Sequence, residues 1–269
     1  MAEPWILLTN DDGLDSPAIA PLARALHRLG EVRVVVPDSE RSWSGKAITK
    51  VAPITVAEVV RDDVAMTAHS GTPADGVQLG VHSLFPTPPA LVVSGINLGY
   101  NHGAGYIWSS GTVGAATEGW ISGIPSIAFS TGAVHEWEEW LRSLYTSPER
   151  WEVLADVCVD ILWVARESGL LDLADVTSVN VPWNSDNATP RRITGIARTG
   201  YTGLFSATDT DTYQHSYDGR LNEYGVVDTT DVDAALDEVI SITPMEMPRA
   251  AEVPQAIAAR VINATKPQT

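Results

Sequence analysis

The chain has 269 residues and 44% hydrophobic side chains, enough for one large α/β domain with a sizeable core. Its net charge of −17, from 34 acidic and 17 basic residues, excludes nucleic acid polymers and anionic membrane surfaces as extended partners. A small phosphorylated substrate stays open to it if a local cation cancels the charge.

Residues 5–8 (Trp-Ile-Leu-Leu) form an unbroken apolar run ending at Thr9-Asn10-Asp11-Asp12-Gly13. Such a run reads as a strand buried on both faces of a parallel sheet. A helix is expected behind it, with Ser16-Pro17 as cap and first turn and Ala18, Ile19, Leu22, Ala23 and Leu26 at helical spacing. Asp11 and Asp12 thereby lie at the carboxyl end of the first strand, where open α/β sheets bind ligands. Two adjacent carboxylates repel unless a cation sits between them, and Mg2+ suits oxygen ligands. Asn-Asp-Asp-Gly serves equally well as a plain turn.

Residues 31–36 (Glu-Val-Arg-Val-Val-Val) give a second strand and complete a βαβ unit. The loop 38–46 after it offers hydroxyls, Arg41 and Lys46 to the same crevice, or is a solvated polar loop. Residues 48–60 alternate loosely and suggest short antiparallel strands, with another strand over 64–67. Thr72-Pro73 opens a helix through Val81.

Residues 90–97 are a third apolar strand, and seven glycines follow within 95–119. Ser110-Gly111-Thr112 opens a helix whose N-terminus can hold an anion. The segment has neither the Walker spacing nor the three-glycine dinucleotide spacing. Strands follow at 124–130 and 176–181, with helices at 137–144 and 151–167. Residues 191–201 read as a strand. The polar stretch 206–224 reads as an extended hairpin and possible oligomer contact. Residues 230–236 form a short turn or helix, 239–244 a strand and 254–263 a terminal helix. The domain is divided into a core of about 1–190 and 225–250, an excursion of about 190–225 and a C-terminal helix within 250–269. The lone Cys158 rules out an intrachain disulfide. No signal peptide or membrane-length apolar run is visible, so a soluble, cytoplasmic protein is expected. Few lysines beside many aspartates also fit adaptation to high salt.

The ordered set Leu-Leu-Thr-Asn-Asp-Asp-Gly (7–13), Val-Pro-Asp-Ser-Glu-Arg-Ser (36–42), Gly-Thr-Pro-Ala-Asp (71–75), Val-Ser-Gly-Ile-Asn-Leu-Gly (93–99), Ser-Gly-Thr-Val-Gly-Ala-Ala-Thr-Glu-Gly (110–119), Asn-Val-Pro (180–182) and Ser-Ile-Thr-Pro (241–244) resembles the SurE family. The resemblance covers nearly the whole chain and is densest over residues 5–130. It implies a Rossmann-like parallel sheet with helices on both faces, plus a C-terminal hairpin used in oligomerisation. It further implies a metal-dependent phosphomonoesterase acting on nucleoside 5′/3′-monophosphates. One divalent cation per subunit, Mg2+ or Mn2+, would be held by Asp11, Asp12, Ser42 and Asn97, with Asp11 and Asp12 also catalytic. Asn10, Asn101, Ser110, Gly111 and Thr112 would contact phosphate or substrate. Homodimers or homotetramers with exchanged C-terminal elements are expected.

The chain departs from the family pattern by one extra residue between Asn101 and Ser110. Gly-Ala-Gly-Tyr (103–106) stands where an acidic residue is usual, and Trp183 follows Asn-Val-Pro. Trp43, Trp108 and Trp183 either stack on the substrate's organic part or pack the protein, and Trp108 is taken as a substrate contact. A phosphatase for another small phosphate ester, or a non-catalytic binding protein, are the alternatives.

Overall fold

The computed structural model describes residues 4–135, 137–217, 219, 221–224 and 229–262. In chain order the elements are β1 (Trp5–Thr9), α1 (Ile19–Leu26), β2 (Glu31–Pro37), β3 (Val56–Arg61), β4 (Val64–His69), α2 (Pro73–His82), β5 (Leu91–Leu98), α3 (Gly103–Ser109), α4 (Gly111–Ile121), β6 (Ser126–Gly132) and α5 (Trp137–Ser143). There follow α6 (Pro148–Glu167), α7 (Leu170–Leu173), β7 (Val176–Pro182), β8 (Arg191–Ile193), β9 (Thr199–Tyr201), β10 (Phe205–Asp209), β11 (Thr212–His215), β12 (Leu221–Glu223), α8 (Asp231–Leu236), β13 (Ile240–Met245) and α9 (Gln255–Ile262).

The main sheet has the order β3-β4-β2-β1-β5-β6-β7-β13-β8. Its six central strands, β4 to β7 in that order, run parallel. Ranked along the chain these strands read 3-2-1-4-5-6, the doubly wound order. Antiparallel β3 closes one side, and β13 joins antiparallel to β7 at the other. Its central strands β1, β5, β6 and β7 are buried on both faces, which explains the unbroken apolar runs of β1 and β5. Ile6 and Leu8 of β1 pack with Leu22 and Leu26 of α1 and Leu154, Cys158 and Ile161 of α6. Trp5 and Leu7 point the other way, to Val77 and Val81 of α2 and Ala115 of α4. Strand order reverses between β1 and β5, so their carboxyl ends splay apart and open a crevice there.

Three elements differ from the expectation. Helix α1 begins at Ile19, because Ser16 and Pro17 form a separate turn: the Ser16 hydroxyl accepts the Ala18 N–H at 3.4 Å and its carbonyl accepts the Ile19 N–H at 3.3 Å. Of residues 48–60 only β3 is a strand. Ahead of it the Thr49 and Thr55 N–H groups go to the Asp75 carboxylate and the Ser70 hydroxyl, each at 3.0 Å, and not to a ladder. Residues 191–201 split in two, β8 pairing parallel with β13 and β9 antiparallel with β12. Between them the Thr194 and Gly195 N–H groups donate to Ile242 and Thr229.

Of the polar stretch 206–224 read as one hairpin, β10 and β11 form a hairpin over Phe205–His215, exposed along its length, while β12 leaves it to pair with β9. Helix α9 buries none of its side chains. Residues 225–228 and 263–269, which the sequence reading assigns to the core and the terminal helix, lie outside the described residues. No described helix is long and apolar enough to cross a membrane.

Candidate active site

The crevice is built first by the exit of β1. Asn10 closes a tight turn on Gly13, donating from Nδ2 to the Gly13 carbonyl at 3.0 Å and accepting the Gly13 N–H at 3.2 Å. Gly13 has φ +86°, and a Cβ there would lie 2.7 Å from the Ser39 carbonyl carbon, so the turn requires glycine. The turn carries Asp11 and Asp12 to the sheet edge. Asp11 is 3% exposed, and the Thr112 hydroxyl donates to its Oδ1. Asp12 accepts the Leu98 N–H at 3.1 Å, so it reaches across to β5.

Among the described residues no basic side chain forms an ion pair with Asp11 or Asp12. Burial pushes the Asp11 carboxyl up to about 6 against the pull of the Thr112 hydrogen bond. Asp12 is raised well above the usual carboxylate range by burial, then by the Asp11 charge, with Glu40 adding to it and the Leu98 N–H opposing it. Burial without a cationic partner among the described residues thus favours a proton on the pair, and hydrogen bonds from Thr112, Gly111 and Leu98 are what oppose it.

Three further segments close around it. The loop after β2 is pinned by the Arg41 N–H, which donates to the Asp11 carbonyl at 2.7 Å, and by the Gly45 N–H, which donates to Ser109 at 2.9 Å. It presents Ser42, whose hydroxyl donates to Glu40 at 2.6 Å. Strand β5 slips its register with β6 between Ser94 and Asn97. At Gly95 within the slip, φ is +122° and a Cβ would overlap the Phe129 carbonyl. Asn97 then donates from Nδ2 to the Gly99 carbonyl at 2.6 Å, and its side-chain Oδ1 accepts no hydrogen bond among the described residues. Finally, Ser110 caps α4 by accepting the Val113 N–H at 3.0 Å, and a Cβ on Gly111 would come within 2.7 Å of the Asp11 Cβ. The positive end of α4 therefore abuts the acidic pair.

A cavity of about 800 Å3 opens over this floor. Of the residues singled out from sequence, Asp11, Ser42, Asn97, Asn101 and Ser110 line it together. Asp12, Gly111 and Thr112 stand against these residues without lining it. The structure moves Asn10 and Trp108 away from the expected substrate contacts. Asn10 is fully buried with its amide spent on the Gly13 turn, and Trp108 is 64% exposed and off the cavity wall. Trp183 is a packing residue against Trp151, with ring centroids 5.0 Å apart. Trp43 does line the cavity.

Sequence reasoning missed the residues that hold this site in place. Asn180 brackets the Asn101 backbone, accepting its N–H at 2.8 Å and donating to its carbonyl at 3.1 Å. The Asn101 side chain is in turn fixed by donating to the Ser130 hydroxyl at 2.8 Å. Asp231 accepts the N–H groups of Gly103 and Ala197 at 2.8 and 2.9 Å and so anchors α3. Asn180 is legible as part of the Asn-Val-Pro motif, but nothing local ties it to Asn101.

The donors fit a hard cation. Among the described residues no group of three or more His, Cys, Asp or Glu side chains forms a metal cluster, so a site here would combine the two carboxylates with neutral oxygens. Carboxylate, hydroxyl and amide oxygens suit Mg2+ or Mn2+ and not zinc. The acidic couple, raised in pKa by burial and, at Asp12, also by the Asp11 charge, is what such an ion would relieve.

Fold and site together define a doubly wound α/β protein with a buried acidic pair at the carboxyl edge of the sheet, and relatives named 5′-nucleotidase make it a phosphoric monoester hydrolase. A family model described as "Survival protein SurE" matches residues 6–203, and the chain belongs to the SurE family. It is 38% identical over 248 residues to the 5′-nucleotidase SurE of Pelobacter propionicus, covering 90% of this chain and 93% of that one. It is 34% identical over 255 residues to the same-named protein of Halobacterium salinarum, covering 93% and 94%. A match to the Methanopyrus kandleri 5′-nucleotidase SurE reaches 49% identity over 125 residues, about half of each chain at 46% and 48%. The crystal structure of the SurE protein from Aquifex aeolicus superposes with a TM-score of 0.70 at 31% identity, covering 96% of this chain and 98% of that one.

Proposed function

We propose that this protein is a metal-dependent phosphomonoesterase that hydrolyses nucleoside 5′- and 3′-monophosphates to nucleoside and inorganic phosphate. The observation that carries this reading is the buried Asp11–Asp12 pair, without a cationic partner among the described residues, with Asp11 abutting the N-terminus of α4 at the floor of the cavity. Asp11, Asp12, Ser42 and Asn97 are the proposed ligands. A bound Mg2+ or Mn2+ would supply charge neutralisation at the phosphoryl oxygens and a more acidic water.

The chain's own groups do the rest. The Ser110 hydroxyl, which caps α4 and lines the cavity, receives the phosphate oxygens, while the Gly111 and Thr112 N–H groups hold the Asp11 carboxylate beside it. Asn101, locked by Asn180 and Ser130, fixes the opposite side of the phosphate. Thr112 holds the Asp11 carboxylate in one rotamer. In-line attack by water breaks the bond from phosphorus to the ester oxygen. The water's proton passes through the acidic pair and ends on the departing alcohol.

We further infer a cytoplasmic oligomer, dimer or tetramer, that exchanges C-terminal elements. Support comes from α9, which leaves Ile257, Val261 and Ile262 exposed, and from the fully exposed β10–β11 hairpin. The enzymatic reading is tested by phosphate release from nucleoside monophosphates, sugar phosphates and p-nitrophenyl phosphate, with Mn2+ and with EDTA. Release from nucleotides that EDTA abolishes supports it. No release from any ester points to a binding protein, and release from sugar phosphates alone to a phosphatase of different specificity.

A further inference from the structure

We propose that Trp43 is a specificity-determining residue that selects esters whose organic part is a nucleobase, by stacking at the mouth of the cavity. This rests on the phosphomonoesterase reading above and adds the element that recognises the leaving group.

Trp43 has φ +62°, in the left-handed region. A bulky residue holds that conformation only where its surroundings fix it, and such strain gathers at ligand sites. Here the surroundings are four aromatic rings from distant parts of the chain. The indole centroid lies 5.3 Å from Tyr201, 5.2 Å from His215, 5.7 Å from Tyr217 and 6.0 Å from Tyr106, at interplanar angles of 55–82°. Hydrogen bonds tie the rings to one another and to the floor: Tyr106 to Tyr217 at 3.0 Å, and Tyr201 to Ser109 at 2.7 Å. Steep angles of this kind brace the indole plane by edge contacts. The braced indole remains 40% exposed, and it lines the cavity directly beside Ser42.

The cavity therefore has two chemically different ends. Asp11 is the one carboxylate among the described lining residues, and it sits at the floor. The mouth is aromatic and offers no Asp, Glu, Lys or Arg side chain among the described residues. A ligand with an anionic phosphoryl group at one end and a flat, weakly polar ring at the other matches both. Stacking uses the face that every nucleobase presents, so the rings would accept purines and pyrimidines alike. A sugar phosphate or glycerol phosphate has no such face and would forgo the contact.

The test compares Trp43→Leu, which keeps apolar bulk, with Trp43→Phe, which keeps a ring. Each is assayed against AMP, CMP and glycerol phosphate, with Mn2+, after thermal melting has shown that the variant folds. Base stacking is worth about ten- to a hundredfold in affinity. For Trp43→Leu we expect kcat/KM on the nucleotides, relative to that on glycerol phosphate, to drop at least about tenfold. Trp43→Phe should restore most of that ratio. Adenosine carries no phosphate, and its binding by calorimetry gives a readout independent of turnover; Trp43→Leu should weaken it by a similar factor.

An unchanged ratio with unchanged adenosine binding overturns the proposal while leaving the phosphomonoesterase reading intact. An equal fall on all three esters also overturns it, since Trp43 would then merely shape the Ser42 loop. Wild-type protein that hydrolyses no ester removes the enzymatic reading. Adenosine binding lost in Trp43→Leu and kept in Trp43→Phe would still uphold the aromatic site.

Discussion

Removing the Asn180 amide should loosen Asn101 and cost both stability and phosphate binding. Asn180 is 2% exposed and Asn101 6%. In Asn180→Ala the Asn101 N–H loses its partner at 2.8 Å and its carbonyl loses one at 3.1 Å. A buried polar group left unpaired costs about 1–3 kcal/mol, so the two together give ~2–6 kcal/mol. At roughly 2–4 °C per kcal/mol for a chain of this size class, a central value of about 4 kcal/mol lowers the melting temperature by ~8–16 °C. The kinetic consequence separates positioning from bulk stability. At a temperature where the variant is fully folded, inhibition by inorganic phosphate should weaken and KM should rise, while Mn2+ affinity stays near wild type. Scanning calorimetry and phosphate inhibition together are the assay. A melting shift below about 1 °C would refute the structural reasoning. A large shift with unchanged phosphate inhibition would show that the clamp serves the fold alone.

Two other perturbations follow from groups around the site. Burial lowers the His69 pKa from 6.5 to about 4, so the folded protein holds it neutral while the unfolded chain takes up a proton first. Its contribution is fully present above pH 6.5 and is lost as pH falls toward 4, a span worth about 3 kcal/mol. His69→Gln should therefore show a shallower loss of stability than wild type across that window in urea titrations. An identical slope would remove His69 from the acid response. In Gly114→Ala the new methyl would overlap the Gly45 carbonyl and lie 2.8 Å from the Lys46 nitrogen, both backbone atoms of the Ser42 loop. Overpacking of this kind costs about 1–3 kcal/mol, and displacing that loop should weaken Mn2+ binding measured by calorimetry. Wild-type Mn2+ affinity in a folded Gly114→Ala protein would show that the loop does not carry a ligand.

What the sequence disclosed follows from where each signal is stored. Strands β1 and β5 were legible because burial on both faces writes an unbroken apolar run, and β2 because its buried half, Val34 to Val36, does the same. The position of the Asp11–Asp12 pair at the sheet edge was legible because it closely follows β1, and that of Ser110 at a helix start because it directly precedes α4. Helix α3 was not, since Gly103, Gly105 and Tyr106 carry no apolar period. It is anchored from outside, with the Gly103 N–H on Asp231 and the Gly105 N–H on Thr199 at 3.2 Å. Those partners, and Asn180, lie 79–128 residues from what they hold, so no local spacing reveals them. The ring cluster around Trp43 was not legible for the same reason, because its rings come from three separate segments. Asn10 was overvalued: it adjoins the acidic pair in sequence, yet its amide is consumed by the turn that presents them.

The seat of a divalent ion among Asp11, Asp12, Ser42 and Asn97 is tested most directly by titrating Mn2+ into wild type and Asp12→Asn by calorimetry, with phosphate release from AMP followed in parallel. We expect one site per chain in the wild type, turnover abolished by EDTA and restored by Mn2+, and at least about a hundredfold weaker binding with matching loss of turnover in Asp12→Asn. Full turnover in EDTA, or an Asp12→Asn protein that binds Mn2+ and hydrolyses AMP as the wild type does, would contradict that assignment.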